Sequence, residues 1–202
     1  MAEYGAMAPS NSTSLLFDKN WSIKPDVVIE GGNLVYDSNG DVAGHSTVDV
    51  MSLSKDSDYK KFTNFGDTSG AAGIASKMVA ELRTIYPNYW VETIRGLLVH
   101  SADWTPKMTT GKSKFEVLRT VGYGVPNLQK AMFSANNSLT LIIEREIQPY
   151  KFEQSKGQYN EYHLFKLPWP KEVLESLEEK NVKLTVTLSY YIEPNPGSRR
   201  LA

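Results

Sequence analysis

Gly66-Asp67-Thr68-Ser69-Gly70-Ala71-Ala72-Gly73 stands directly in front of an apolar-periodic stretch. Ile74, Met78, Leu82 and Ile85 fall at i, i+4, i+8 and i+11, which is one stripe of an amphipathic helix. Ala71, Ala75 and Val79 widen the stripe, so the spacing predicts a well-buried helix over 68–86, ended by Pro87-Asn88. A Thr-Ser pair among small residues at a helix start exposes a hydroxyl where a serine nucleophile can be placed. Free backbone N–H groups and the positive end of the helix dipole can there stabilise an oxyanion. Small neighbours such as Gly70 and Gly73 let a substrate backbone approach closely. The same residues admit a second reading, with Thr68 or Ser69 as a helix N-cap, which stabilises by about 1 kcal/mol. The nucleophile-elbow pattern G-x-S-x-G is not met, because Asp67 and Ala71 occupy its glycine positions.

The rest of the chain bounds the possibilities. At 202 residues it can hold one sizeable core, and a hydrophobic content of 41% with 22% charged residues argues for a folded protein. Net charge is −1, which argues against nucleic acid as a main partner. No run approaches the length of a membrane-spanning helix, and residues 1–10 lack the basic start and apolar centre of a signal peptide. With no cysteine, disulfides, thiolate metal sites and a cysteine nucleophile are excluded. These features lean towards a cytoplasmic location. Three scattered histidines have no metal-ligand spacing, so no metal and no cofactor is expected.

Upstream of the serine, Lys24-Pro25-Asp26 leads into Val27-Val28-Ile29, read as a buried strand closed by Glu30-Gly31-Gly32. Asn39-Gly40 between Leu34-Val35-Tyr36 and Val42-Ala43 predicts a hairpin rather than a calcium loop, since the EF-hand glycine and glutamate are missing. A weaker strand is expected within 47–53. Downstream, Val91, Ile94, Leu97 and Leu98 point inward from a second helix over 91–102. Gly122-Tyr123-Gly124 marks a tight turn, and Pro126 opens a short helix ending near Met132. After Ser134 the composition shifts. Leu139, Leu141 and Ile143 alternate as a strand would, and a helix follows Trp169-Pro170. Leu184, Val186, Leu188, Tyr190 and Ile192 alternate with Thr185, Thr187, Ser189 and Tyr191 up to Pro194, the clearest half-buried strand pattern in the chain.

The serine segment resembles the G-T-S-x-A-x-P motif of subtilisin-like serine proteases, with Thr68, Ser69 and Ala71 matching. Asp67 replaces the first glycine and Gly73 the proline. Residues 24–32 are similar to the family's K-P-D-V-x-A-P-G segment. Tyr86-Pro87, residues 91–98 and Ser101-Ala102 resemble its helices after the serine, and residues 122–127 its G-x-G-x-x-N/D turn. The ending, residues 188–197, looks like a C-terminal β domain found in some bacterial members.

The resemblance implies an α/β fold with a partial parallel sheet. Residues 1–134 would form the C-terminal part of the catalytic domain, and 135–202 a small β-rich appendage. It implies that Ser69 is the acylating nucleophile for a peptide or protein substrate. The family's aspartate and histidine motifs, and its oxyanion asparagine, belong upstream of the serine, and none is visible in the 68 residues before it. His45, His100 and His163 lie in the wrong contexts to serve, and Asn11 does too. The expectation is therefore a fragment of a serine endopeptidase that is inactive alone, with the missing N-terminal half of the catalytic domain as its partner. The alternatives are a non-catalytic interaction module on a degenerate subtilase scaffold, and an unrelated α/β domain in which Ser69 is a cap.

Overall fold

The computed structural model describes residues 1–16, 22–56, 58–137, 140–153 and 156–192. It divides into two compact units, one of Met1–Met132 joined by the chain from Thr187, the other of Phe133–Val186. Helices and small antiparallel sheets are mixed along the chain, in keeping with an α/β class.

In the first unit, β1 (Leu34–Tyr36) pairs antiparallel with β2 (Val42–Gly44), and β3 (Val50–Leu53) with β4 (Phe62–Phe65). The β1–β2 hairpin turns where Asn39-Gly40 predicts it. The Asp37 carboxylate accepts from the N–H groups of Asn39 and Asp41 at 2.8 and 2.9 Å and closes the turn.

Four helices follow: α1 (Asp67–Ile85), α2 (Val91–His100), α3 (Pro106–Thr109) and α4 (Lys114–Val121). The chain passes from the first unit to the second within α5 (Leu128–Asn137), which begins two residues after Pro126. The α4 start is a capping box, in which Ser113 and Glu116 each satisfy the other's backbone N–H. That Ser-x-x-Glu signal stands in the sequence and identifies a helix that hydrophobic periodicity alone misses.

Leu82 and Tyr86 from the α1 end, Ile94, Leu97 and Leu98 from α2, and Ala131 from α5 are buried. Met108, Val117 and Val121 form a second cluster, against which Val28 and Trp104 pack. The N-terminal segment is tied to this helical layer. Ser14 donates its N–H and its hydroxyl to the Arg119 carbonyl, and the buried Arg119 guanidinium returns a bond to the Ser14 carbonyl at 3.1 Å.

Five expectations are corrected, the last of them in the second unit. Residues 27–29 belong to no sheet. Their backbone is engaged by the Gly122–Gly124 turn instead, with Val28 N–H donating to the Gly124 carbonyl at 3.0 Å and Tyr123 N–H to the Asp26 carbonyl at 2.9 Å. The α1 helix is far from well buried, since only Gly70 and Leu82 within it are covered. Val91 is 68% exposed rather than inward, because, although it shares the face of Ile94 and Leu98, it stands at the first helical position, past the end of the packed stretch.

The fourth correction concerns 184–192, which forms no ladder, and its alternation is inverted. Val186 and Leu188 are 84% and 81% exposed, whereas Thr187 and Ser189 are half-buried. Thr187 Oγ1 lies 2.8 Å from His100 Nδ1, and a Cβ built on Gly96 would lie 3.2 Å from Ser189 Cβ. The polar side faces α2 because a hydrogen-bonding histidine and a bare glycine await it there. Leu139 and Pro194 lie outside the described residues, as does the second half of the 188–197 resemblance.

Among the described residues of the second unit, β5 (Tyr150–Glu153) pairs antiparallel with β6 (Lys156–Tyr159), and a short helix α6 (Lys171–Ser176) follows Trp169-Pro170. Leu141 and Ile143 are exposed and in no strand. No helix among the described residues is long and apolar enough to cross a membrane.

Candidate functional site

The β4 strand delivers the chain to Gly66, which takes the N-cap position of α1 in an extended conformation with no side-chain cap. Neither Thr68 nor Ser69 is the cap, so the capping alternative is not how this helix starts. Thr68 and Ser69 lie inside its first turn, and both are exposed. The first backbone bond of the helix runs from Gly70 N–H to the Gly66 carbonyl at 3.1 Å. The N–H groups before it point out of the helix end, where the dipole is positive. Ser69 makes no hydrogen bond among the described residues outside that turn. It thus offers a hydroxyl and an N–H together at an uncapped helix start.

Asp67, the first helical residue, has φ of 60°. This is the left-handed region, which glycine enters freely and aspartate tolerates at a cost. The geometry explains why the motif carries glycine there and why a short polar residue can replace it.

Beside this turn lies a shallow cavity of about 180 Å³, bordered by Gly31, Asn33, Asp49, Asn64, Gly66 and Asp67. Asp49 and Asn64 reach it through the β3–β4 pairing, which sets Val50 opposite Phe65 and Met51 opposite Asn64. Asp49 lies 20 residues before Ser69 in the chain, and no motif links the two. The β3–β4 pairing next to Asp49 and the bond from Asn33 N–H to the Val48 carbonyl bring it to Gly66, whose built Cβ would lie 3.3 Å from Asp49 Oδ1.

The histidines are engaged elsewhere. His45 Nδ1 bonds Thr47 Oγ1 at 2.8 Å, His100 bonds Thr187, and His163 Nε2 lies 3.2 Å from Glu161 Oε2 in the second unit. Among the described residues none hydrogen-bonds Ser69, and no group of His, Asp or Glu is arranged to hold a metal ion.

Asp26, in the Lys-Pro-Asp segment, is bound by Arg95 at 2.9 Å and Lys24 at 3.0 Å. Burial works against its charge, but the hydrogen bonds from Arg95 and Lys24 prevail and hold its carboxyl below the usual carboxylate range. This ion pair fastens the segment before the serine to α2.

No match was found among curated proteins or among solved structures. The family model of the subtilases, peptidase family S8, matches residues 2–124. That span holds the Lys-Pro-Asp segment, the serine turn, α1 to α4 and the Gly122–Gly124 turn, and the chain belongs to the subtilase family.

Proposed function

We propose that Ser69 is the nucleophile of a serine endopeptidase and that residues 1–134 are the C-terminal part of its catalytic domain. Residues 135–202 are then a β-rich C-terminal appendage. The observation that carries the reading is the exposed Ser69 in the uncapped first turn of a 19-residue helix.

In this reading Ser69 Oγ attacks the scissile carbonyl carbon while a base takes its proton. The oxygen of the tetrahedral intermediate is received by the Ser69 N–H at the helix start. The base returns the proton to the leaving amine, and water then hydrolyses the acyl-enzyme. In this reading the base and its orienting carboxylate come from a segment that precedes Met1, so this chain alone is inactive. Exposure of Ala72, Gly73 and Val79 on α1 supports the same view, because small apolar residues on a central helix call for a covering layer.

The substrate is a peptide or protein, and no metal or cofactor takes part in the steps assigned to Ser69. Nucleic acid and membrane are not partners in this reading, and the compartment proposed is the cytoplasm.

The test has two arms. A fluorophosphonate probe should leave Ser69 unlabelled in the isolated chain, and labelling would contradict dependence on a missing base. In the full-length protein Ser69→Ala should abolish proteolysis, and intact proteolysis would remove the assignment.

Asp67 and Gly73, where the family motif has glycine and proline, favour a second reading. In it the chain is a non-catalytic interaction module on a degenerate scaffold. Aspartate and histidine motifs in the sequence preceding Met1 decide for the enzyme, and their absence decides for the module.

A further inference from the structure

The turn that carries Ser69 rests on the chain segment that follows the Lys-Pro-Asp motif. A Cβ built on Gly31 would lie 2.7 Å from the Asp67 carbonyl oxygen, 3.3 Å from the carbonyl carbon and 3.5 Å from Ala71 Cβ. Real Cβ atoms do not approach a backbone oxygen that closely. The contact is reciprocal, since a Cβ on Gly66 would lie 3.4 Å from the Gly31 carbonyl oxygen and 3.3 Å from Asp49 Oδ1. Two backbones therefore meet with no side chain between them, and one of them holds the peptide linking Asp67 to Thr68. That peptide cannot swing away freely, because Asp67 is already at φ of 60° and a non-glycine residue has little room to rotate there. Gly73, six residues further along, has nothing within 4 Å of its built Cβ, so the crowding belongs to the first turn and not to the whole helix.

We infer that Gly31 is a positioning residue for Ser69. Its bare Cα lets the Glu30-Gly31-Gly32 segment seat the Asp67 carbonyl and so sets where the Ser69 hydroxyl and N–H stand. The meaning of that placement for chemistry rests on the reading of Ser69 as nucleophile, but the seating itself does not.

The experiment is an amide ¹H–¹⁵N spectrum of the whole chain carrying Gly31→Ala, with Gly73→Ala for comparison. Gly31→Ala should shift the resonances of residues 67–69 and speed exchange of the Gly70 amide, while those of α4 stay in place. Gly73→Ala should leave residues 67–69 where they were. Adding Asp67→Gly frees the rotation, so the fall in melting temperature caused by Gly31→Ala should be smaller in that background, a coupling read by a double-mutant cycle. Residues 67–69 unmoved, or shifts spread evenly over the first unit, overturn the inference. If Gly31→Ala does not fold, Gly66→Ala meets the same surface from the other side with a milder overlap. It should move the same amides, and unmoved amides again overturn the inference. Failure of Ser69 as nucleophile, read by fluorophosphonate labelling of the full-length protein, leaves all of these shifts unchanged, so the two failures are distinguishable.

Discussion

Gly122→Ala tests the joint on which the first unit depends. Gly122 has φ of 57° and ψ of −132°, a region that is close to glycine-only. Its built Cβ would lie 2.1 Å from the Pro25 carbonyl oxygen and 2.4 Å from that of Asp26. Both oxygens are backbone atoms, so the Pro25–Asp26 segment must move off the turn. Strain at such a position costs about 1–3 kcal/mol. The movement also endangers the bonds from Tyr123 N–H to Asp26 and from Val28 N–H to Gly124, each worth about 1 kcal/mol net. The sum is about 3–5 kcal/mol, a large share of the 5–15 kcal/mol that ordinarily holds a domain folded.

Urea unfolding followed by far-ultraviolet circular dichroism measures it, with hydrogen exchange of the Val28 amide as a local reporter. The variant should lose about that much stability and Val28 its protection. Gly73→Ala, in open space on the exposed side of α1, should instead gain up to about 1 kcal/mol from helix propensity. A Gly122→Ala loss below about 1 kcal/mol with Val28 still protected would refute the argument that this turn and the Lys-Pro-Asp segment are one rigid joint.

Asp26→Asn should change the pH dependence of folding. The native carboxyl titrates below its unfolded counterpart, so its stabilisation is fully present above the unfolded pKa of about 4 and is lost as pH falls through the lower native value. Urea midpoints taken between neutral pH and strong acid should fall on acidification in the wild type and more shallowly in Asp26→Asn. Leu82→Ala, at 0% exposure, should cost about 3 kcal/mol in urea unfolding, whereas Val79→Ala on the open face of α1 should cost much less. Equal losses would mean that the open face is covered. Arg119→Met removes the buried guanidinium bond to the Ser14 carbonyl and the contact with the Phe115 ring, whose centroid is 5.1 Å away. It should cost about 2 kcal/mol and make the bonds around Ser14 sensitive to limited proteolysis.

The parts of the chain that read correctly are those whose cause is local. Helix α1 is found over Asp67–Ile85 against an expected 68–86, because a 3.6-residue stripe and a terminating proline are written in consecutive residues. The β1–β2 hairpin follows from Asn39-Gly40, and the tight turn at 122–124 from its two glycines. Ser69 stands at the helix start for the same reason. What its spacing could not supply is the other wall of the site. Asp49 and Asn64 arrive through a strand pairing, and Gly31 through a backbone contact across 36 residues of chain.

The sequence by itself determined helices α1 and α2, the turns at Asn39-Gly40 and Gly122–Gly124, and the family to which the chain belongs. Only the tertiary structure decided which faces are covered. Alternation at 184–192 marks two faces but names no neighbour. The polar face turned inward because His100 and Gly96 offered a hydrogen bond and a gap. The apolar run at 27–29 marks an extended segment but not a ladder, and its bonds went to the turn at Gly122–Gly124. Periodicity is a property of one segment. Burial and strand pairing are properties of two, and the second partner is fixed only when the chain has folded.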